Sequence, residues 1–335
     1  MRAFMDLTEP VPGTLIGAGT ACGKAILIGE HTVVYGLPAI AIPLASLHIK
    51  ATAHISTATT SRLTISTRHA DGGRVDGFFT CRSDALSAGS DGAVVAVVAA
   101  LRKWGLHHEA AAVRLTGDLP PARGLGASAA CATAAVRAVA DAVGTTVGRR
   151  ALYELVQVGE QQAHGRASGI DAAAVIAAQP IRFQDGAARV LPARSDAVTV
   201  LADTGMPSVT RRAVAAVQSI VHRNPARARG LLDEADCLID DALAALDASD
   251  VVTLGARMNG FHSLLMEFGV STEALNRLVD AASRAGALGA KLTGGGLGGC
   301  VLALTQPHDA AVVQQALMSA GARRTWTIPF GGPSS

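Results

Sequence analysis

The sequence has few aromatic residues, almost no net charge and no long apolar run. Aromatic side chains make up only 3% of the 335 residues, and the formal net charge is +2. Proteins that bind a nucleic-acid backbone usually present strongly basic surfaces, and those that bind single strands add aromatic stacking platforms. The longest apolar run, Ala93 to Leu101, is too short to span a bilayer. The composition therefore predicts no nucleic-acid partner and no membrane span.

Paired cysteines are lacking as well. The five cysteines are odd in number, scattered along the chain and without a CxxC motif. This pattern is typical of free thiols in a reducing compartment. The first fourteen residues contain acids and prolines where a secretory signal peptide would have an apolar core. Together these features predict a soluble, cytoplasmic protein.

Apolar and small residues are abundant. Apolar residues make up 49% of the chain, and its 36 glycines occur in clusters. The length suffices for two domains with a sizeable core. A polar stretch with a proline near residues 185–195 predicts a boundary, which divides the chain into domains at 1–190 and 191–335.

The order of predicted elements favours an α+β fold. Apolar and polar residues alternate over residues 47–55, which predicts a strand, and residues 63–80 predict a hairpin that turns at 71–73. Ser90 or Asp91 is the expected cap of the next helix, and Ser271 or Thr272 is the expected cap of a later one. Beyond the boundary the order, inserted helices aside, is β-α-β-β-α-β, as in the ferredoxin-like split unit.

The first unusual segment is GKAILIGEHTVVYGLPAI, from Gly23 to Ile40. An apolar strand runs directly into Glu30 and His31, although a buried strand normally ends in turn residues. Only four of the 29 basic residues are lysines, and Lys24 and Lys291 lie beside glycine motifs. Either these positions need a compact ammonium group, or two of the four lysines lie there by chance.

The segment PPARGLGASAACA, residues 120–132, places two glycines before a helix. Gly124 and Gly126 would let a phosphate approach the main chain, and Ser128 would lie in the first turn, where backbone N–H groups are free. A glycine turn that simply packs an alanine-rich helix is an equal alternative. A dinucleotide fingerprint also fits, but two prolines separate the glycines from the preceding strand.

Two further segments contain candidate site residues. EQQAHGRASGIDAAA places Glu160 and Asp171 on either side of a turn framed by Gly165 and Gly169. Two carboxylates that converge across such a turn suit a metal ligand and a proton acceptor, although a surface acid and a helix cap are the simpler reading. KLTGGGLGGC, residues 291–300, has more glycines than a hairpin turn needs, which favours a functional loop.

In this order the four segments resemble the GHMP kinase superfamily, and within it the mevalonate kinase family. The segment that starts at Gly23 is similar to the first family motif, PPARGLGASAACA to the phosphate loop, AHGRASGID to the segment with the catalytic aspartate, and KLTGGGLGGC to the third motif. VVYGLPAI is the mevalonate-type continuation and differs from galactokinase-like relatives. The resemblance covers nearly the whole chain.

The resemblance implies both a fold and a reaction. The fold would be an N-terminal ATP-binding α/β domain like ribosomal protein S5, a C-terminal ferredoxin-like domain and an active site in the cleft between them. The reaction would be ATP- and Mg²⁺-dependent phosphorylation of the C5 hydroxyl of (R)-mevalonate, in a homodimer. Phosphomevalonate kinase is the nearest alternative; a nucleotide-binding module without turnover and a Rossmann dehydrogenase are alternatives of other classes.

The resemblance also implies roles for single residues. Asp171 would accept the hydroxyl proton and pair with Lys24, while Ser128 and Glu160 would hold Mg²⁺. The expected substrate-binding residues are Lys24, Glu30, His31, Asp171, Thr293 and Gly294. The expected ATP-binding residues are Pro121, Arg123, Gly124, Leu125, Gly126, Ala127, Ser128 and Ala129.

Two motifs depart from the family pattern. Ala127 replaces the first serine of the usual GLGSSAA loop, and Gly295 and Leu297 alter the third motif, which is usually GAGGGG-like. Should the missing serine contact phosphate, ATP binding would weaken. Leu297 adds a side chain to a turn that is normally bare.

Overall fold

The described residues of the computed structural model form two antiparallel sheets with helices packed against them. These residues are 14–56, 64–70, 74–82, 91–106, 109–164, 167–192 and 195–330. The apolar core is built mainly from alanine, valine, leucine and isoleucine, as the low aromatic content requires. The five cysteines are all free. Within the described part of the chain, no helix is long and apolar enough to cross a membrane.

The first sheet is organised around one long strand. β1 runs along one edge of β2, while β5 and β6 pair with the two ends of its other edge. β3 and β4 continue the sheet beyond β5, and β7 continues it beyond β6. The strands are β1 (Leu15–Ile28), β2 (Ala39–Ser56), β3 (Thr64–Ala70), β4 (Arg74–Arg82), β5 (Ala110–Gly117), β6 (Ile181–Gln184) and β7 (Ala187–Val190).

Four helices accompany this sheet, and the second of them lies directly on β1. Because Gly17 and Gly19 have no side chains, the backbones of β1 and α2 approach closely; a Cβ on Gly17 would lie 2.1 Å from the Ala142 nitrogen. This contact fixes α2 beside the strand that contains Lys24. The helices are α1 (Gly92–Lys103), α2 (Ala127–Ala142), α3 (Arg149–His164) and α4 (Ile170–Ala177).

The second sheet has the strand order β11-β8-β10-β9, with every neighbouring pair antiparallel. This order confirms the predicted ferredoxin-like unit. Its strands are β8 (Val198–Asp203), β9 (Gly289–Thr293), β10 (Cys300–Thr305) and β11 (Arg324–Pro329). Its helices are α5 (Thr210–Arg223), α6 (Pro225–Asp247), α7 (Val251–Glu267), α8 (Glu273–Arg284) and α9 (Ala310–Ser319).

Most predicted elements are confirmed. Residues 47–55 lie within β2 and alternate between buried and more accessible positions. Asp91 caps α1 by accepting from the Ala93 nitrogen, and Thr272 caps α8. β3 and β4 form the predicted hairpin. Its turn at 71–73, the alternative cap Ser90, Gly165 and the first thirteen residues lie outside the described residues.

Three local predictions were wrong or incomplete. β1 begins at Leu15, nine residues before the strand that the apolar run at Lys24 indicated. The stretch near Asp185 is a hairpin rather than a boundary alone, since Asp185 and Gly186 both have positive φ and form the tight turn that an Asp-Gly pair favours. The eight-residue α4 was not foreseen. The division at residue 190 stays a prediction.

Candidate active site

The segment after β1 turns sharply and thereby places Glu30 inside the protein. Gly29 has a φ of 104°, and a Cβ there would lie 2.5 Å from that of Ala39. His31 has a φ of 64°, which is uncommon for a residue other than glycine. The chain then forms a short 3₁₀ helix from Thr32 to Tyr35. These two left-handed positions explain how a strand can end in a buried acid followed by an imidazole.

Lys24 and Asp171 form an ion pair between β1 and α4. The Lys24 Nζ lies 3.0 Å from Asp171 Oδ1 and donates to the carbonyl oxygen of Gly124 at 3.0 Å. The Lys24 side chain is only 2% exposed, whereas that of Asp171 is 38% exposed. A ligand can therefore reach the carboxylate from solvent while the ammonium stays fixed behind it.

The glycine loop before α2 packs against Lys24. Gly126 has a φ of 71°, and a Cβ there would lie 2.9 Å from the Cγ of Lys24. The backbone nitrogen of Lys24 donates to the carbonyl oxygen of Leu125 at 3.0 Å. The first N–H groups of a helix have no partner within it and carry partial positive charge, so this loop can receive an anion beside the Lys24–Asp171 pair.

Ser128 and Glu160 meet near the start of α2. The Ser128 hydroxyl donates to Glu160 Oε1 at 2.6 Å, and the Glu160 side chain is buried at the end of α3. The two residues are 32 positions apart in sequence, and their convergence was expected only from the family resemblance. No group of three or more His, Cys, Asp or Glu side chains suited to a metal occurs in the described residues.

The glycine loop of the third motif, which starts at Gly294, lies directly on the glycine loop before α2. A Cβ on Gly294 would lie 2.7 Å from the Cα of Gly124, and one on Gly124 would lie 3.0 Å from the Thr293 carbonyl oxygen. Both residues have positive φ, at 80° and 77°. The two loops thus touch backbone to backbone, which leaves no room for a side chain at either position.

Glu30 pairs with Lys291 of β9 in the interior. Both side chains are at most 1% exposed, and the Lys291 ammonium also donates to the Leu292 carbonyl oxygen at 2.7 Å. Burial raises the pKa of the Glu30 carboxyl and lowers the pKa of the Lys291 ammonium, while their mutual attraction opposes both shifts. The second carboxylate oxygen, Oε2, has no hydrogen-bond partner among the described residues.

His31 connects the turn after β1 to the glycine loop of the third motif. Its Nε2 lies 3.1 Å from the carbonyl oxygen of Gly295, so Nε2 carries the proton and donates it. Burial lowers the pKa of this imidazole to about 4. His31 is therefore neutral at physiological pH, and its Nδ1 can accept a hydrogen bond.

Comparisons with known proteins agree with this arrangement. Two family models match, GHMP kinases N terminal domain over residues 88–179 and GHMP kinases C terminal over residues 242–323. The mevalonate kinase of Pyrococcus horikoshii is 33% identical over 90% of this chain and 92% of its own. That of Aeropyrum pernix is 30% identical over 85% of this chain and 87% of its own.

The solved structure of mevalonate kinase from L. major in complex with R-mevalonate superposes with a TM-score of 0.79, at 25% identity, over 98% of this chain and 100% of that one. The chain belongs to the GHMP kinase family. The resemblance to mevalonate kinases, the GHMP kinase fold and the kinase class expected from the sequence are confirmed. As a kinase, this protein uses ATP.

Besides Glu30, which pairs with Lys291, two expected site residues of this GHMP kinase have side chains that are engaged elsewhere. The Thr293 hydroxyl accepts from the Ile26 nitrogen at 2.9 Å and donates to the Ile26 carbonyl at 3.1 Å, which joins β9 to β1. Any substrate contact of Thr293 would thus fall to its backbone. Arg123 pairs with Asp203 at 2.8 Å and donates to the Gly205 carbonyl, so its guanidinium faces the second sheet.

The remaining expected ATP-binding residues surround the loop. Leu125 and Ala129 are buried, while Pro121 and Ala127 are partly exposed. Ala127 is the first residue of α2 and packs against the core, as does the side chain of Leu297 in the third motif. Leu297 adopts a φ of 53° and its nitrogen donates to the Val270 carbonyl, so the protein accommodates both departures from the family pattern.

Sequence reasoning missed the residues that hold β9 in place. β9 is the outermost strand of its sheet, and side chains of α7 bind its outer N–H groups. Asn259 accepts from the Ala290 nitrogen at 2.8 Å, and His262 Nδ1 accepts from the Leu292 nitrogen at 3.4 Å. The two acceptors flank Lys291 along the strand. Asn259 and His262 lie three residues apart and therefore on one face of the helix. This spacing was the sequence signal that could have identified them.

Proposed function

We propose that this GHMP kinase transfers the γ-phosphoryl group of ATP to the C5 hydroxyl of (R)-mevalonate, giving 5-phosphomevalonate and ADP. The observation that carries the proposal is the Lys24–Asp171 pair, which lies against the glycine loop at the start of α2. Phosphoryl transfer depends on positioning and electrostatic stabilisation more than on covalent chemistry, and this pair with its loop supplies both.

Asp171 and Lys24 would act on the acceptor alcohol. The half-accessible carboxylate of Asp171 can accept the hydroxyl proton as the oxygen attacks the phosphorus atom. The buried Lys24 ammonium favours the developing alkoxide because it lies in a site where water screens charge poorly. Both groups are held by opposite elements, β1 and α4, so their separation is set by the fold.

Ser128 and Glu160 fit a magnesium ion that arrives with ATP. A hydroxyl and a carboxylate are oxygen donors, and Mg²⁺ at nucleotide sites typically takes one or two protein ligands and completes its shell with phosphates and water. When bound there, the ion would offset negative charge on the phosphates. The neighbouring N–H groups of α2 would receive the phosphate oxygens.

The charge pattern argues against a substrate that is already phosphorylated. A second phosphate would need free cations, yet Lys24, Lys291 and Arg123 beside these loops are each paired with an acid. Phosphomevalonate kinase therefore remains the weaker alternative.

A substrate panel tests the proposal. Purified protein with MgATP would be assayed for ADP release with mevalonate, phosphomevalonate, galactose and homoserine. We expect turnover with mevalonate and little with the other three. Preferred turnover of phosphomevalonate would replace the substrate assignment, and no turnover with any alcohol would refute it.

The homodimer and the cytoplasmic location expected from the sequence belong to this proposal too, as does the division into domains at 1–190 and 191–335. Light scattering coupled to gel filtration measures the mass in solution directly. A monomer at working concentration would contradict the dimer without affecting the catalytic assignment.

A further inference from the structure

Lys291 has no role in the mechanism above, yet it is one of the most deeply buried charges in the described part of the chain. Its side chain is 0% exposed, pairs with Glu30 and lies with its Nζ 5.8 Å from the centre of the Phe261 ring. Burial of an unpaired charge is strongly unfavourable, so a lysine in a sheet core needs a reason. An aliphatic residue would fill the same space without that penalty.

The position of Lys291 is fixed from both sides. Asn259 and His262 hold the strand at the residues before and after it, and Thr293 binds the backbone of β1 two residues further on. The ammonium is therefore directed at the turn that follows β1.

Glu30 lies within the electrostatic influence of two ammonium groups. The Thr293 hydroxyl, two residues after Lys291, binds the backbone of Ile26, two residues after Lys24, so the two lysines lie on adjoining strands. The Lys24 charge also lowers the pKa of both Glu30 and Lys291. Lys24 in turn binds Asp171 at 3.0 Å. Two lysines and two carboxylates thus lie in one neighbourhood, with Glu30 paired with Lys291 and Asp171 with Lys24.

We propose that Lys291 is a positioning residue that holds the Glu30 carboxylate and thereby keeps the Lys24 ammonium with Asp171 at the reacting hydroxyl. Without Lys291, Lys24 would be the one cation among the described residues that acts on the buried Glu30 carboxylate. Glu30 would then compete with Asp171 for one ammonium. The inference rests on the proposed kinase function and extends it, since Lys291 touches neither the hydroxyl nor the phosphates.

The proposal predicts a signed pH dependence. In Lys291→Met, Glu30 competes for Lys24 only while it is ionised, so the defect should grow as the pH rises and shrink as Glu30 takes up a proton. The other titratable groups around the pair are His31 of the turn, His262 of α7 and, through Lys24, Asp171 of α4. Both imidazoles have a pKa of about 4 and stay neutral between pH 6 and 9.

The first test compares kcat per folded molecule in five proteins: wild type, Glu30→Gln, Lys291→Met, the double variant Glu30→Gln/Lys291→Met, and Lys103→Met. Lys103 is an exposed lysine of α1 and serves as the matched control for loss of a charge. We expect Lys291→Met to lower kcat about 10–100-fold at pH 8. The ratio of wild-type to variant kcat should be larger at pH 9 than at pH 6, because burial raises the pKa of the Glu30 carboxyl.

The double variant separates positioning from stability. With Glu30 neutral, nothing competes for Lys24, so kcat should return to within about threefold of Glu30→Gln alone, and the pH dependence of the ratio should vanish. This comparison remains available if Lys291→Met does not fold. A pH-independent loss, or a double variant far less active than Glu30→Gln, would overturn the proposal.

A spectroscopic measurement is independent of turnover. Because the chain has four lysines, labelling the lysine ε-carbons with ¹³C gives four signals that single substitutions assign. The Lys24 signal should move in Lys291→Met and return in the double variant, whatever alcohol the enzyme accepts. An unmoved Lys24 signal would refute the positioning role, whereas a failed substrate panel would refute only the proposed substrate.

Discussion

Two lysine–carboxylate pairs lie close together in this kinase, and they differ in how they meet solvent. In the Lys24–Asp171 pair the acid is 38% exposed, whereas in the Lys291–Glu30 pair both side chains are at most 1% exposed. The first pair is open on its carboxylate side, and the second is closed. An open acid can exchange a proton with a substrate, while a closed one can act only through its neighbours. Similar residue pairs thus serve different purposes because burial differs.

The largest expected effect concerns the open pair. Asp171→Asn removes the proton acceptor but keeps the shape of the side chain, so kcat should fall by about 10²–10⁴-fold while folding and ATP binding persist. Steady-state kinetics and calorimetric ATP binding check this. A kcat close to that of the wild type would remove Asp171 as the base and leave the two pairs without a functional difference.

Removing each lysine in turn sharpens the comparison. Lys291→Met removes the ion-pair partner of the buried Glu30 and should lower the free energy of unfolding by about 3–5 kcal/mol. Lys24→Met leaves an acid that water can reach, so the loss should be only about 1–2 kcal/mol, with a much larger fall in kcat. Urea unfolding of both variants measures the difference, and equal losses would contradict the distinction between open and closed.

The contact between the glycine loops gives the next largest effect. Gly294→Ala would place a Cβ 2.7 Å from the Gly124 Cα, so it should lower kcat/KM for ATP by about 10–100-fold. Gly144→Ala is the matched control, because Gly144 also has positive φ but nothing within 4 Å of a Cβ. It should reduce stability by about 1–2 kcal/mol and leave kinetics unchanged. Equal kinetic effects would show that backbone strain alone is responsible.

The closed region should also be the more sensitive to acid. His31 and His262 have pKa values of about 4 in the folded protein because burial disfavours their cations. Their ordinary pKa is near 6.5, so between pH 6.5 and 4 the unfolded chain binds more protons and stability must fall as the pH falls. Each can contribute no more than about 3 kcal/mol.

Thermal unfolding at several pH values tests this dependence. His262→Gln should reduce the loss of stability between pH 6.5 and 4. A stability that is constant from pH 6.5 to 4 would contradict the burial of both imidazoles as neutral groups.

The smallest effect is expected at the magnesium ligands. Ser128→Ala removes one oxygen donor beside Glu160 and should raise the Mg²⁺ concentration needed for half-maximal activity several-fold, on the order of 1 kcal/mol. Titration of activity with Mg²⁺ at fixed ATP measures it. An unchanged titration would contradict the ligand assignment.

Sequence patterns predicted the fold well where they were periodic or capped. The alternation in β2, the caps at Asp91 and Thr272 and the order of elements in the second sheet all follow from local chemistry. The start of β1 was missed because Gly17 and Gly19 weaken a strand pattern, and their function is to let α2 approach. That reason becomes visible only when the helix is in place.

The site was less predictable, because its contacts join residues far apart in the chain. Gly124 and Gly294 could be identified as special, but their mutual contact depends on how the loops meet. The engagement of Arg123 with Asp203 and of Thr293 with Ile26 has no local signal. Lys291 did have a local sequence signal, because it is a lone cation in an apolar strand. Its partner Glu30, however, lies 261 residues away.

The most direct test of the central claim is the ¹³C-lysine spectrum of the wild-type protein during titration with (R)-mevalonate. If the open pair receives the alcohol, the Lys24 signal should shift to saturation while those of Lys50 and Lys103 stay in place, with at most a smaller change at Lys291. A Lys24 signal that does not move at saturating mevalonate, in a preparation that turns the substrate over, would contradict the account.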